Sequence, residues 1–207
     1  MRISERAWCA DFAAEVAGAE SRRSRPVDLA HAARSLGYSD AVPTKTGVTV
    51  FSDSPPDWEQ ILAMAAASPA ESTAHRVEVH YDGPDLSEAA ERLGLSVAEL
   101  VRSHTAQSYE CVAVGFQPGF AYLGDLPDMI GRLPRRASPR AHVPSGTVAI
   151  AGRQTAIYPG DSPGGWWLIG RTTWPVRDAE TRIGHIAVGD TVQFSEISDP
   201  EARHPND

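Results

Sequence analysis

Residues 156–172 read AIYPGDSPGGWWLIGRT, and what Ser162 does in this run decides the architecture. The segment Gly160-Asp161-Ser162-Pro163-Gly164 fits G-x-S-x-G, the nucleophile elbow of serine hydrolases, where a serine sits on a sharp strand-to-helix turn. Two features exclude that reading. The residue after the serine must give its main-chain N–H to the oxyanion hole, and Pro163 has no N–H to give. A helix must follow, whereas Gly164-Gly165 leads into Trp166-Trp167-Leu168-Ile169, a strand pattern. The stretch is a glycine-proline turn in a β domain.

The flanking sequence agrees. Strand candidates YECVAVGF (109–116), TVAIAG (147–152), WWLIG (166–170) and DTVQFS (190–195) are separated by loops dense in Gly and Pro. Ten of the 17 glycines fall between Gly115 and Gly170, and short strands with such punctuation predict a β-barrel or sandwich. Upstream, RVEVHY (76–81) alternates Val77, Val79 and Tyr81 with polar residues, as a half-buried strand does. Between these strands lies PDLSEAAERLGLSVAELVRSHT (84–105), two short helices divided by Gly94. Asp85 with Glu88, and Ser96 with Glu99, have the spacing of a capping box. A helix-turn-helix would offer DNA only Arg102 and His104 beside Glu99, too little charge to neutralise phosphate.

Residues 1–75 predict a separate small α+β domain. Pro26 opens a helix with Leu29, Ala33 and Leu36 on one face, stopped by Gly37. GVTVFS (47–52) is a strand, and Pro55-Pro56-Asp57 starts a helix with Trp58, Ile61, Leu62, Ala65 and Ala66 at helical spacing. The small, polar ASPAESTAH (67–75) reads as the linker to the β domain at 76–207.

The chain carries 19 Lys+Arg against 27 Asp+Glu, net −8, which argues against general affinity for nucleic acid. No apolar run approaches the roughly 18 residues of a membrane span, and no signal-peptide core opens the chain, so a cytoplasmic protein is expected. Cys9 and Cys111 form no CxxC, and His142 and His185 are isolated, so no metal site is expected. Between Gly131 and Arg171 the sequence sets Arg132, Arg135, Arg136, Arg140, Arg153 and Arg171 against Asp161 alone. That surplus reads equally as an anion-binding face or as charge decorating strand edges.

Three stretches carry a resemblance: GFQPGFAYLGDLP (115–127), LPRRASPRAHVPSGTVAIAGRQTAIYP (133–159) and SPGGWWLIGRT (162–172). In order and spacing they resemble the family of the 5-oxoprolinase B subunit, also called allophanate hydrolase subunit 1 or KipI-like. The segment ending His104-Thr105 and the closing VGDTVQFSEI resemble it too, so the likeness covers residues 76–198. It implies a cyclophilin-like β-barrel behind an α+β N-terminal domain. It also implies ATP-dependent opening of the lactam 5-oxoproline to L-glutamate, beside a homologous subunit 2 and a LamB/YcsF-like third component. Other branches imply an inhibitor of a histidine kinase or a carboxyltransferase subunit of a biotin-dependent enzyme.

The chain has no G-x-x-x-x-G-K-[ST] and a single lysine, Lys45, so any ATP it shares must meet arginine and main-chain N–H groups. Candidate catalytic groups are His104, Tyr122, Arg135 and Arg140; His104 also suits a structural place at a helix end. Candidate substrate-binding residues are Phe116, Gln117, Pro118, Gly119 and Phe120 in the first stretch. Gln154 and Tyr158 join them from the second, and Ser162, Pro163, Gly164, Gly165, Trp166 and Arg171 from the third. Rings, guanidinium groups and closely approaching main chain suit a planar, anionic or carbonyl-bearing small amide.

Overall fold

The computed structural model describes residues 2–4, 6–11, 25–44 and 46–197. The chain divides into two compact units, residues 1–73 and 74–207. In the first, strands β1 (Arg2–Ser4), β2 (Ala7–Asp11), β3 (Asp40–Pro43) and β4 (Gly47–Phe51) form an antiparallel sheet in the order β1-β2-β4-β3. Helices α1 (Pro26–Ser35) and α2 (Trp58–Ala67) accompany it, and Leu29, Ala33, Ile61 and Ala65 pack with Val48 and Val50 in one cluster. Asp57 caps α2 by accepting from the Gln60 N–H at 3.0 Å.

The second unit opens with β5 (Ala74–Val79), so the predicted linker gives way to strand before His75. Helices α3 (Leu86–Leu93) and α4 (Val97–Thr105) follow, then β6 (Ser108–Val114), β7 (Ala121–Gly124), β8 (Arg140–Val143), β9 (Thr147–Ala151), β10 (Gln154–Ile157), β11 (Ser162–Gly164), β12 (Trp167–Arg171) and β13 (Thr191–Glu196). Seven of them form one sheet in the order β12-β9-β10-β7-β6-β13-β5. Its two edges meet where His80 and Arg171 exchange N–H···O bonds of 2.9 and 2.8 Å, giving a nearly closed barrel. Glycine permits that seam. A Cβ on Gly170 would lie 2.6 Å from the His80 carbonyl oxygen, and one on Gly83 would strike the Leu168 main chain.

All seven strands send side chains into the main core, among them Val77, Cys111, Leu123, Ile150, Ile157, Ile169 and Phe194. The outer face of β9, β10 and β12 is buried as well, beneath a second cluster of Phe120, Val143, Ala149, Ala151, Ala156, Tyr158, Trp166 and Leu168. Neighbouring residues therefore part company: Trp167 enters the barrel core and Trp166 the outer cluster. Strands β7, β8, β10 and β11 are three or four residues long and lie where the sequence shows mainly turn signals. Sheet pairing rather than local propensity holds them extended.

The helical hairpin follows the sequence at its middle. Gly94 caps α3 with a left-handed φ of 71°, and Ser96 and Glu99 make the predicted capping box. The box predicted at Asp85 and Glu88 does not form, because both carboxylates are committed elsewhere. Asp85, whose side chain is 3% exposed, accepts from the Leu168 N–H at 2.8 Å, from Arg140 at 2.5 Å and from Arg136 at 3.1 Å. Glu88 pairs with Arg92 and Arg136, which hold its carboxyl below the usual range. Among the described residues no helix is long and apolar enough to cross a membrane.

Candidate functional site

The outer cluster is incompletely covered, and the gap is a cavity of about 280 Å³. Phe120 is its floor, 2% exposed, with edge-on rings around it: Tyr122 at 4.9 Å, Phe116 at 5.3 Å, Tyr158 at 5.4 Å and Trp166 at 5.8 Å between centroids. Offset and edge-on contacts of this kind are what ring quadrupoles favour. Pro139 and the run Pro163-Gly164-Gly165 close the other side, and Arg135 and Arg136 complete the lining.

Each wall has a local cause. The loop before β7 turns tightly, the Gly115 N–H donating to the Phe120 carbonyl at 3.0 Å and the Gln117 N–H to the Gly115 carbonyl at 2.9 Å. Phe116, at the apex of that three-residue turn, takes φ 69°, a conformation costly for a residue with a Cβ. The cost holds a phenyl ring 63% exposed at the rim. On the opposite side β11 pairs with β8 and carries Gly164 against the Tyr158 hydroxyl, where any Cβ would collide with the phenol oxygen. Burial pushes the Tyr158 phenol up, opposed by the Trp166 main chain, Arg135 and Arg140.

The arginine surplus of the sequence largely cancels in space. Arg136 and Arg140 pair with Asp85, Arg153 with Asp128 at 2.6 Å, and Arg171 with Asp82 at 2.7 Å. Arg136 also stacks over Trp167, 4.7 Å from the ring centre. Among the described residues that line the cavity, Arg135 is the guanidinium with no carboxylate partner.

Of the residues singled out by sequence, Phe116, Phe120, Tyr122, Arg135, Tyr158, Pro163, Gly164, Gly165 and Trp166 line this hollow. Gln117, Pro118, Gly119 and Ser162 do not line it; Gln117 reaches the Gly160 carbonyl at 3.3 Å and the Ser162 hydroxyl at 3.4 Å, and Gly119 lies against Pro159 and Arg177. Arg140 lies behind the wall, with a buried Nη1 that lacks a hydrogen-bond partner. Gln154 sits at the start of β10 opposite Gly124, and Arg171 at the barrel seam; neither lines the cavity. His104 requires a larger correction.

His104 is 0% exposed in the barrel core, stacked against Phe194 at 4.7 Å and Tyr109 at 5.5 Å, which also touch each other. Its Nε2 meets the Thr155 hydroxyl at 2.9 Å, and that hydroxyl donates onward to the Ala149 carbonyl, so Nε2 carries the proton. Nδ1 then accepts from the Tyr81 hydroxyl at 2.6 Å. Burial pushes the imidazole pKa down to about 3, so the ring stays neutral with both nitrogens engaged. The position joins helix α4 to Tyr81, just past β5, and to Thr155 of β10, and is closed to solvent. Sequence reasoning missed Arg136 and Pro139, both in the PRRASPR run that it had marked only at Arg135 and Arg140.

The profile of the carboxyltransferase domain, subdomain C and D, matches residues 1–183. The 5-oxoprolinase B subunit of Escherichia coli O157:H7 is 37% identical over 174 residues, which are 75% of this chain and 76% of that protein. This chain belongs to the 5-oxoprolinase B-subunit family. The Bacillus subtilis (strain 168) member of the family is 35% identical over 189 residues, 80% of this chain and 78% of its own. Among solved structures, TTHA0988 superposes with a TM-score of 0.74 at 35% identity over 94% of this chain. The present chain spans about 40% of TTHA0988.

Proposed function

We propose that this chain is one subunit of an ATP-dependent 5-oxoprolinase that opens 5-oxoproline to L-glutamate, working beside a homologous subunit 2 and a LamB/YcsF-like component. The observation that carries the reading is the ring-walled hollow with one unpaired guanidinium at its edge, in a chain related to proteins of that name. 5-Oxoproline is a small ring bearing a carboxylate and a lactam carbonyl. Its ring fits against Phe120 and Trp166, its carboxylate against Arg135, and its carbonyl oxygen toward the hydroxyls of Tyr122 and Tyr158. Those hydroxyls face the charge that grows on oxygen as the amide is attacked, with Arg140 behind the wall adding positive potential at a distance.

ATP supplies phosphoryl activation of the lactam oxygen, which makes C–N cleavage by water accessible. A single unpaired arginine in a cavity of about 280 Å³ is poor company for a triphosphate, so we place ATP outside the hollow. The test is reconstitution. The chain, subunit 2 and the third component are mixed with ATP and 5-oxoproline, and glutamate and ADP are followed together. Equal yields of both products are expected, with Arg135→Gln raising KM for 5-oxoproline; neither product from the complete set rejects the reading.

A second reading follows from the matched profile, which is that of a carboxyltransferase domain. A carboxylated ureido ring presents the same planar, anionic shape to the hollow. Carboxyl transfer from a biotinylated carrier, with no ATP-driven glutamate release, would favour it.

A further inference from the structure

Pro159, next in the chain to Tyr158 of the hollow, belongs to a second and larger concavity of about 480 Å³. This groove is walled by Ser145, Thr173 and Trp174, with Arg177 and Arg182 along it, and no lining residue is acidic. Arg136, Arg140, Arg153 and Arg171 all have carboxylate partners. Among the described residues Arg177 and Arg182 have none. The neighbouring Asp178 makes no ion pair with either. Its carboxylate accepts from the Thr181 N–H at 2.7 Å, the Thr181 hydroxyl at 2.9 Å and the Glu180 N–H at 3.0 Å, and closes its own turn.

The groove is built at a cost. Arg182 takes φ 63° in that turn, where glycine or asparagine would rest without strain. The turn is nevertheless closed around it, the Asp178 N–H donating to the Ile183 carbonyl at 2.8 Å and the Arg182 N–H to the Asp178 carbonyl at 3.1 Å. Arg177 in turn lies across a glycine. A Cβ on Gly160 would come 2.8 Å from its Nη2, and its own Cβ stands 3.0 Å from where Gly119 would carry one. Gly184 meets Gly119 main chain to main chain, since a Cβ there would be 2.8 Å from the Gly119 Cα. Segment 177–184 is thus seated on the GFQPGF loop and the GDSPG turn, which border the aromatic hollow.

We propose that this groove binds a phosphate-bearing small molecule, with the phosphate between Arg177 and Arg182 and the Ser145 and Thr173 hydroxyls as further donors. Two guanidinium groups match a dianion with three acceptor oxygens on one centre, whereas a lone carboxylate would leave one of them unanswered and a flexible dicarboxylate must be ordered to answer both. The volume exceeds what phosphate needs and leaves room for the rest of the ligand. The assignment goes beyond the lactam reaction and stands without it, because binding to the isolated chain involves no turnover.

The test is a titration of the purified full chain, followed by amide NMR, with inorganic phosphate, with ADP, and with glutarate as a carboxylate control. Saturable shifts are expected at Gly119, Gly160, Arg177 and Arg182, with ADP binding more tightly than phosphate and glutarate weakest. Changing Arg177→Gln and Arg182→Gln together should raise the Kd for ADP about tenfold or more. Arg182→Gly removes a backbone strain, so it should fold more stably than the parent while binding ADP several-fold more weakly. The proposal is overturned by the absence of saturable shifts or by parental ADP affinity in Arg182→Gly. Glutarate binding as tightly as phosphate would overturn the ligand class.

Discussion

The barrel core around His104 and the hollow around Phe120 are made of the same materials, and they differ in one respect. Each stacks aromatic rings at 4.7–6.0 Å and each contains tyrosine hydroxyls and a cationic or titratable partner. In the core every polar atom is answered by protein: Tyr81 by His104, His104 by Thr155, Thr155 by Ala149, and the Tyr109 hydroxyl by the His104 carbonyl at 2.8 Å. In the hollow, among the described residues, the Tyr122 hydroxyl and the Arg135 guanidinium have no protein partner. A closed set of hydrogen bonds stabilises a fold, and an open one is a site. Substitutions in the first region should therefore lower stability, and in the second, function.

The largest effect is expected at Asp85, whose carboxylate ties β12, Arg136 and Arg140 together. Asp85→Ala takes the carboxylate from Arg140 and from the buried Leu168 N–H, leaves Arg136 with Glu88 alone, and should cost about 3–5 kcal/mol in urea unfolding. A loss under about 1 kcal/mol would mean the pairing is incidental. His104→Ala comes next, at about 2–4 kcal/mol, through a cavity and two orphaned hydroxyls.

The same histidine gives the comparison a pH signature. Its folded pKa of about 3 lies below its ordinary value of about 6.5, so the unfolded chain binds the extra proton between them. The histidine's contribution is fully present above about pH 6.5 and is lost as pH falls toward about 3. Unfolding midpoints of the parent should therefore drop through that window more steeply than those of His104→Gln. Parallel curves for the two proteins would remove His104 from the core account.

Smaller in stability, and larger in function, is Gly164→Ala. Its methyl displaces the Tyr158 hydroxyl, for about 1–3 kcal/mol, and should weaken substrate binding in the reconstituted enzyme beyond what the stability loss explains. Arg135→Gln sits at the far end. Unfolding should change by no more than about 0.5 kcal/mol, while KM for 5-oxoproline rises. If Arg135→Gln unfolds early and His104→Ala does not, the contrast between the two regions is reversed.

Much of the barrel was legible because its longer strands alternate cleanly, as β5, β6 and β13 do, and because glycines mark the turns between them. The hollow was legible in part, since GFQPGF and SPGGW each combine rings with glycines that allow close approach. What local sequence could not carry was partnership at a distance. Asp85 lies three residues before Glu88 and reads as a cap, yet its acceptors are spent on Leu168 and Arg140, far along the chain. The arginine surplus at 131–171 left an anion-binding face and strand-edge decoration equally open for the same reason, because Asp82, Asp85, Asp125 and Asp128 lie outside that window. His104 looked available because nothing adjacent to it announces that Tyr81 and Thr155 will close over both ring nitrogens.

Strand β13 runs parallel to β5 over six residue pairs, from Thr191 beside Ala74 to Glu196 beside Val79. Among the described residues the first and last strands of the barrel unit are therefore partners, separated in the chain by every other strand of the sheet. A ribosome must deliver residues 191–196 before the sheet can be completed, and until then β5 and β6 both present bare hydrogen-bonding edges. Closure of so long a loop is slow relative to local pairing. The pairing that completes the sheet is thus the last one the chain can make.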